Sequence, residues 1–418
     1  MLWRFFANSW GRKIGKVSFV SCEGCTAREK GYPEERVCKM LLIALKMLFY
    51  DKAKFLGLVL GVAFSTLLIN QQMGIFLGLL SRAGAIIADI PEADIWVMDP
   101  GVKNLDTIFP LRDTELGRVR GVDGVKWAVP LFKSVATIRT NNGSLESSTL
   151  IGIDDSSLIG LPQTIVMGDV RDLKRPDAVA IGKDGFSKVW RDEEPSLWKT
   201  VELNDRRAVV VAIVKDSPKF TSSITFFTRY SQALQYTNNG RNQMSFILAK
   251  SDGGKSAEEV AKEIKKRTGL LALTSEAYRD KAIQYVIDNT GIPVSFGTVI
   301  ALGVIVGICV VALMFNLFVL ENLRHFAVLK AIGTRNRRLV GMVFVQSLVV
   351  GFVGYSVGLC GAACFFEFAG RNPNFTGFFL PWQIAIISGG VAAGIISLAS
   401  LLAMRRLLFV DSAVVFRG

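Results

Sequence analysis

The chain has 418 residues, half of them hydrophobic, with a mean hydropathy of +0.37 and a formal net charge of +13. That hydropathy argues against the two or three soluble domains the length would allow. The placement of the charge argues against nucleic-acid binding: residues 1–54 hold 11 Lys/Arg against 5 Asp/Glu and residues 321–338 hold 5 against 1, whereas residues 82–290 are nearly balanced at 29 against 28. Positive charge gathered in short segments beside apolar runs is the positive-inside pattern of a membrane protein.

Residues 1–39 contain no apolar run long enough for a signal peptide. Two readings stand open for them, a disordered cytoplasmic leader or sequence upstream of the true start. Cys22, Cys25 and Cys38 lack a fourth ligand, since the single histidine is the distant His325, so no metal site is expected. Residues 40–81 form an amphipathic segment and a first span, FLGLVLGVAFSTLLINQQMGIFLGLL over 55–80. It exceeds the roughly 20 residues that cross a bilayer. Lys46, Lys52 and Lys54 place its start in the cytoplasm. Asn70, Gln71 and Gln72 are costly against lipid, so they face another helix or lie near the outer surface.

Residues 82–290 are long enough for one folded domain, and they read as mixed α+β. Residues 127–139 and 208–214 are strand-like, and Asn141-Asn142-Gly143 marks a hairpin turn. A strand over 244–249, a helix capped by Ser256 with Glu259 in the capping-box position, and a strand over 270–273 make a β-α-β unit and suggest a ferredoxin-like subdomain. Residues 275–290 continue helically as a stalk into the second span. Gly254-Lys255-Ser256 imitates the end of a phosphate-binding loop, but Ala249 stands where that motif needs its first Gly, so a turn before a helix is expected. With no nucleophile elbow or kinase motif either, no enzymatic activity is expected of this chain.

Three further spans follow at 291–320, 339–368 and 381–404, with a short external loop over 369–380 and a cytoplasmic tail over 405–418. Four spans put both termini in the cytoplasm and the large domain outside. Each span carries a Gly-xxx-Gly pair that would let backbones approach: Gly57/Gly61, Gly303/Gly307, Gly354/Gly358 and Gly390/Gly394. Glu367 is expected to snorkel to the outer surface or to pair with Arg371 there.

The segment 321–338, ENLRHFAVLKAIGTRNRR, connects the second and third spans. Phe326, Leu329 and Ile332 recur at three-residue spacing and share one helical side, while Lys330 and the cluster Arg335, Arg337 and Arg338 are basic. Gly333 stands where the helix would stop. A short amphipathic helix at a membrane surface is the expectation.

Arg324-His325-Phe326-Ala327-Val328-Leu329-Lys330-Ala331-Ile332-Gly333 resembles the signature after the second span of FtsX-like ABC transporter permeases, the family of macrolide-exporter, lipoprotein-release and DevC-type permeases. The family commonly has Glu where this chain has His325. The tail after Arg405 is also similar, with Ser412 in place of the usual Pro. The resemblance implies four transmembrane helices with a porter-like extracytoplasmic domain inserted between the first two. It implies a bacterial inner-membrane location and a second permease copy. A separate ATPase subunit would hold ATP and Mg and would touch Arg324, His325, Phe326, Val328, Leu329, Lys330, Ile332 and Gly333 of a coupling helix. It further implies a periplasmic adaptor and an outer-membrane duct in a DevC-type assembly, and export or extraction of a lipophilic substrate. An FtsX-type signal transmitter acting on a cell-wall hydrolase is the alternative.

Overall fold

The computed structural model describes residues 44–408 apart from 192, 220–223, 238–243, 332 and 372–377, and at 324 and 404–408 it describes the backbone alone. The expectations for residues 1–39, Cys22, Cys25, Cys38 and the tail beyond 408 lie outside the described residues. A helical segment over 44–50 leads to helix α1 (Lys52–Ala83), whose first turn is capped by Asp51: the N–H groups of Ala53 and Lys54 donate to its carboxylate at 3.1 and 3.3 Å. At about 1.5 Å per residue such a helix is about 48 Å long, against about 30 Å of hydrocarbon, so its last turns reach past a bilayer. After Gly84 the chain re-enters a short helix, α2 (Ala85–Asp89).

The domain runs β1 (Ile95–Met98), α3 (Asp113–Arg120), β2 (Val125–Arg139), β3 (Leu145–Ile153), β4 (Ile165–Gly168), β5 (Ala178–Gly182), α4 (Lys183–Val189), β6 (Thr200–Leu203), β7 (Arg206–Val214), β8 (Thr225–Arg229), α5 (Tyr230–Tyr236), β9 (Phe246–Ser251), α6 (Ala257–Thr268) and β10 (Leu271–Thr274). The order β10-β1-β9-β2, antiparallel throughout, with α3 and α6 as the two crossovers, is the split β-α-β arrangement of a ferredoxin-like unit. The sequence read its second half from the Ser256 cap, and the capping box with Glu259 is formed. The decoy Gly254-Lys255-Ser256 is the turn before that helix.

The ferredoxin-like unit has an insertion. Between β2 and β9 the chain builds a ring, β2-β3-β8-β5-β7-β6, which closes where Ile138 of β2 meets Leu203 of β6. Strand β2 belongs to both parts; at 15 residues it is long enough to pair with β9 along its first half and with β3 and β6 along its second. Phe132, Ile138, Leu150, Ile181, Phe226 and Ile213 fill the inside of the ring, and Phe186 and Trp190 beyond β5 pack into the same core.

Alternation in β1 assigns its two faces. Ile95 and Val97 pack with Val119, Val260 and Ile264 of the ferredoxin helices; Trp96 and Met98 face the other way, toward Ile86, Ile87 and Ile90 around α2. Burying an Ile side chain of that kind stabilises by about 1.5–3 kcal/mol, so the end of α1 is fastened to the domain through α2.

Helix α7 (Ser275–Asn289) starts at the Thr274 cap, and its Tyr278 ring lies 5.7 Å from Trp96 and 6.2 Å from Phe246. It runs beside the end of α1, where Arg279 lies against Gly84 so closely that a Cβ there would meet the Arg279 side chain at 2.7 Å. It leads, as the stalk reading expects, into α8 (Ile292–Glu321), followed by α9 (Leu323–Ala331), α10 (Asn336–Gly370) and α11 (Trp382–Leu408). Helices α1, α8, α10 and α11 are long and apolar enough to cross a membrane.

The glycine pairs divide by environment. A Cβ on Gly307 would lie 2.5 Å from Ser65 Oγ, on Gly354 2.6 Å from Val62 Cβ, and on Gly358 2.4 Å from the Ala63 carbonyl oxygen. These glycines, with Gly61 near Val310, let α8 and α10 approach the middle of α1. Gly57 and Gly303 sit at ordinary contact distances, and Gly390 and Gly394 open onto space, so the packing expected of that last pair is not made within this chain. Gly351 was missed: a Cβ there would meet Ile396 of α11 at 2.4 Å. Asn70 is fully buried, donating to the Thr66 carbonyl at 2.8 Å and accepting from Ser388 Oγ at 2.9 Å, so this residue faces another helix, while Gln71 and Gln72 are half-buried. Glu367 and Arg371 approach to 3.7 Å.

Candidate coupling site

The α8–α10 connection lies at the end of the helix bundle away from the domain. Helix α8 stops at Asn322, whose Nδ2 and backbone N–H both turn back to the Phe318 carbonyl, at 2.9 and 3.2 Å. The Phe326 N–H donates to the Asn322 carbonyl at 3.1 Å, so α9 starts at once in a new direction. Its other end is closed at Gly333, with φ +93°. The N–H of Gly333 donates to the Lys330 carbonyl and that of Thr334 to the Leu329 carbonyl, at 3.0 and 3.1 Å, the paired bonds of a Schellman cap. A left-handed residue is required there, which explains the glycine.

Alternation along α9 separates seat from surface. Phe326 and Ala327 are each 2 % exposed, and Phe326 packs in one cluster with Ala44, Leu48, Phe318, Leu339 and Met342. Leu329 is half-buried against the same cluster. His325, Val328, Ala331 and Gly333 are exposed, and Lys330 is half-buried. Phe326, expected to touch a partner, is therefore an anchor beneath the surface; an aromatic ring at this depth is held by its own chain. The Arg324 side chain and Ile332 lie outside the described residues.

Two further contacts tie the seat to other helices, and local patterning in the sequence did not signal them. Gln346 of α10, fully buried, donates through Nε2 to the Ala44 carbonyl at 2.7 Å. Lys54 at the start of α1 pairs with both Asp51 and Glu321, the latter at the end of α8. The seat of α9 is thus in contact with α8, α10 and α1. Arg335, Arg337 and Arg338 are exposed around the N-terminus of α10, where the helix dipole disfavours cations by about 0.3–1 kcal/mol each.

Two family models match the chain: the MacB-like periplasmic core domain over residues 55–267, about half of its length, and the FtsX-like permease C-terminal domain over 297–411. This chain belongs to the FtsX-like ABC transporter permeases. An uncharacterized ABC transporter permease of Mycobacterium tuberculosis is 28% identical over 343 residues, 79% of this chain and 86% of that one. A permease of Mycobacterium bovis is 25% identical over 314 residues, 74% of this chain and 80% of that one. Among solved structures, the periplasmic region of MacB from Actinobacillus actinomycetemcomitans is similar at 18% identity and a TM-score of 0.35, covering 49% of this chain and 96% of that one. The extracellular domain of the noncanonic ABC-type transporter YknZ from Gram-positive bacteria gives 18% and 0.34, covering 44% and 98%.

The bundle and the domain are joined at two places. One joint is α7. The other was not foreseen in the sequence: Lys219, 3 % exposed, donates to Asp89 at 2.6 Å and to Asp216 at 2.8 Å, and both carboxylates are buried. The Ser217 N–H also donates to Asp89, at 3.0 Å. Burial alone would lower the Lys219 pKa, but Asp216 and Asp89 outweigh it and hold the ammonium above its ordinary value. Asp89 ends α2, so this triad ties the end of α1 to the strand ring beside β7.

Proposed function

We propose that the permease is the membrane subunit of an exporter, present in two copies with two separate ATPase subunits, and that α9 is its coupling helix. Both termini and α9 then lie in the cytoplasm, and the β-rich domain lies outside. ATP and Mg are held by the partner, and the work delivered to α9 drives export or extraction of a lipophilic substrate by the outer domain. The observation that carries this reading is the division of α9. One side is locked into the bundle through Phe326, and the other presents His325 and Val328 beside the exposed arginines 335, 337 and 338.

Co-purification from native membranes with mass spectrometry tests it. A separate ATPase chain is expected with the native protein and lost in the variant Lys330→Glu with Gly333→Val, which still inserts. Normal transport by that variant, or a chain accompanied by a cell-wall hydrolase and no ATPase, would overturn it; the second result is that of an FtsX-type signal transmitter.

A further inference from the structure

No residue of β4 belongs to the core. Residues 163–169 are exposed without a break, and the strand is held along one edge only, by β7. Its register shifts between Ile165 and Met167, so Val166 is left out of the pairing. Yet Ile165, Val166 and Met167 are apolar, and they are 44, 43 and 39% exposed. An open strand edge is ordinarily protected by charge, proline or a covering element. Here three large apolar side chains stand in a row on it, an arrangement that water disfavours.

The register fixes where this row lies. Ile165 stands opposite Val214 of β7, and Val214 opposite Gly182 of β5, so the three lie side by side about 4.8 Å apart. Two residues beyond Gly182, Asp184 in the first turn of α4 acts electrostatically on Arg82 near the end of α1. Arg82 in turn lies over the Phe378 ring at 4.5 Å, in the connection between α10 and α11. Two residues beyond Val214, Asp216 joins the triad with Lys219 and Asp89. The row is therefore on the end of the domain that faces the bundle, level with the end of α1. Lys52 and Arg82 lie about 45 Å apart along α1 at about 1.5 Å per residue, which matches the roughly 40–45 Å of a bilayer with its headgroups. With Lys52 among the cytoplasmic headgroups, Arg82 and the row beside it come at the outer headgroup layer. Trp382, 69% exposed at the start of α11, is of the residue type that favours that layer.

The flanking charge agrees with the height. Lys183 follows Gly182 and Lys215 follows Val214. Both are exposed, and among the described residues neither has an ion-pair partner. An open edge alone would suit an added protein strand. Apolar side chains set between two cations at the level of the lipid phosphates suit a membrane surface, with the apolar groups among acyl chains and the ammonium groups on phosphate.

We propose that β4 rests on the outer leaflet, with Ile165, Val166 and Met167 entering it and Lys183 and Lys215 on lipid phosphates. The inference rests on the outside placement of the domain given above and adds a lipid contact that belongs to the strand ring itself, apart from α2 and α7.

Depth-dependent quenching on the full-length chain tests it. The six cysteines are replaced by Ser, and a single new cysteine carries a nitrobenzoxadiazole label. The protein is reconstituted in vesicles of phosphatidylcholine and phosphatidylglycerol, part of which bear a nitroxide on the acyl chain near the headgroup. Val166→Cys reports on the row. Arg206→Cys, exposed at the far end of β7 and about 26 Å along the strand from Val214 at about 3.3 Å per residue, is the control away from the membrane. Phe352→Cys, 75% exposed on α10, shows that the bundle is inserted. Quenching at Val166→Cys should be at least threefold that at Arg206→Cys. Adding Ile165→Ser with Met167→Ser should cut it at least twofold and leave Phe352→Cys unchanged. Equal quenching at Val166→Cys and Arg206→Cys, or no loss with the two serines, would overturn the proposal. A membrane-impermeant thiol reagent on cells with an intact inner membrane separates the two readings. Arg206→Cys labelled from outside, with Val166→Cys unquenched, overturns the lipid contact and leaves the outside placement standing; Arg206→Cys closed to the reagent overturns both.

Discussion

Replacing Lys219 by Met keeps the length of the side chain and removes its charge. Asp89 and Asp216 are then left buried with no cation between them, and only the Ser217 N–H remains on Asp89. Removing one partner of a buried ion pair costs about 3–5 kcal/mol. A domain of this kind is stable by about 5–15 kcal/mol, so it should stay folded while the joint between α2 and the strand ring opens. Hydrogen exchange on the full-length chain in detergent reads this directly. The Ser217 amide and the Ala88 amide, which donates to the Gly84 carbonyl at 3.1 Å, should lose protection by a factor on the order of 100 or more, since about 1.4 kcal/mol is tenfold. Amides in the middle of β7 should change little. Lys219→Arg, which keeps the charge, should lose much less. The pH dependence has a definite sign. With its pKa raised above 10.5, Lys219 contributes in full below that value and loses its contribution only as pH rises through the folded-state value. The difference between native protein and Lys219→Met should therefore be constant between pH 7 and pH 9. Protection reduced less than threefold in Lys219→Met would refute the assignment of the triad as a joint.

Thermal unfolding in detergent checks the glycine contacts: Gly358→Ala drives a Cβ against the Ala63 carbonyl and should cost about 1–3 kcal/mol, whereas Gly390→Ala, with no neighbour, should lie within about 0.5 kcal/mol of the native chain. Ser388→Ala removes the donor to Asn70 Oδ1 and should cost about 1 kcal/mol in the same assay. Ser256→Ala breaks the capping box of α6 and should cost about 1 kcal/mol, measured as faster exchange of the first-turn amides, with the Glu259 N–H most affected.

What could be read from the sequence was periodic or local. Ser256 and Glu259 mark a helix start because both partners of the cap lie within one turn. Gly333 marks a helix end because only a left-handed residue closes α9 there. Asn70 was expected to face another helix or lie near the outer surface because an amide in hydrocarbon is costly, and the structure decides for the first. The direction of Phe326 was harder. Three-residue spacing puts Phe326 and Leu329 on one side of α9 without saying whether that side meets a partner or the chain itself. The burial of Phe326 against Ala44 and Leu48 depends on a segment about 280 residues earlier in the chain.

By itself the sequence determined the number of long apolar helices, the gathering of positive charge at their ends, the ferredoxin-like half built around α6, and family membership through the segment 324–333. Each of these is a property of composition or of neighbours within a few turns. The tertiary structure alone decided the rest: the ring that closes where Ile138 meets Leu203, the glycines that carry close contacts, and the pairing of Lys219 with an Asp89 that lies 130 residues away. These depend on which distant segments come together. A buried Lys and a buried Asp look, residue by residue, like any two surface charges until the fold has taken both out of water.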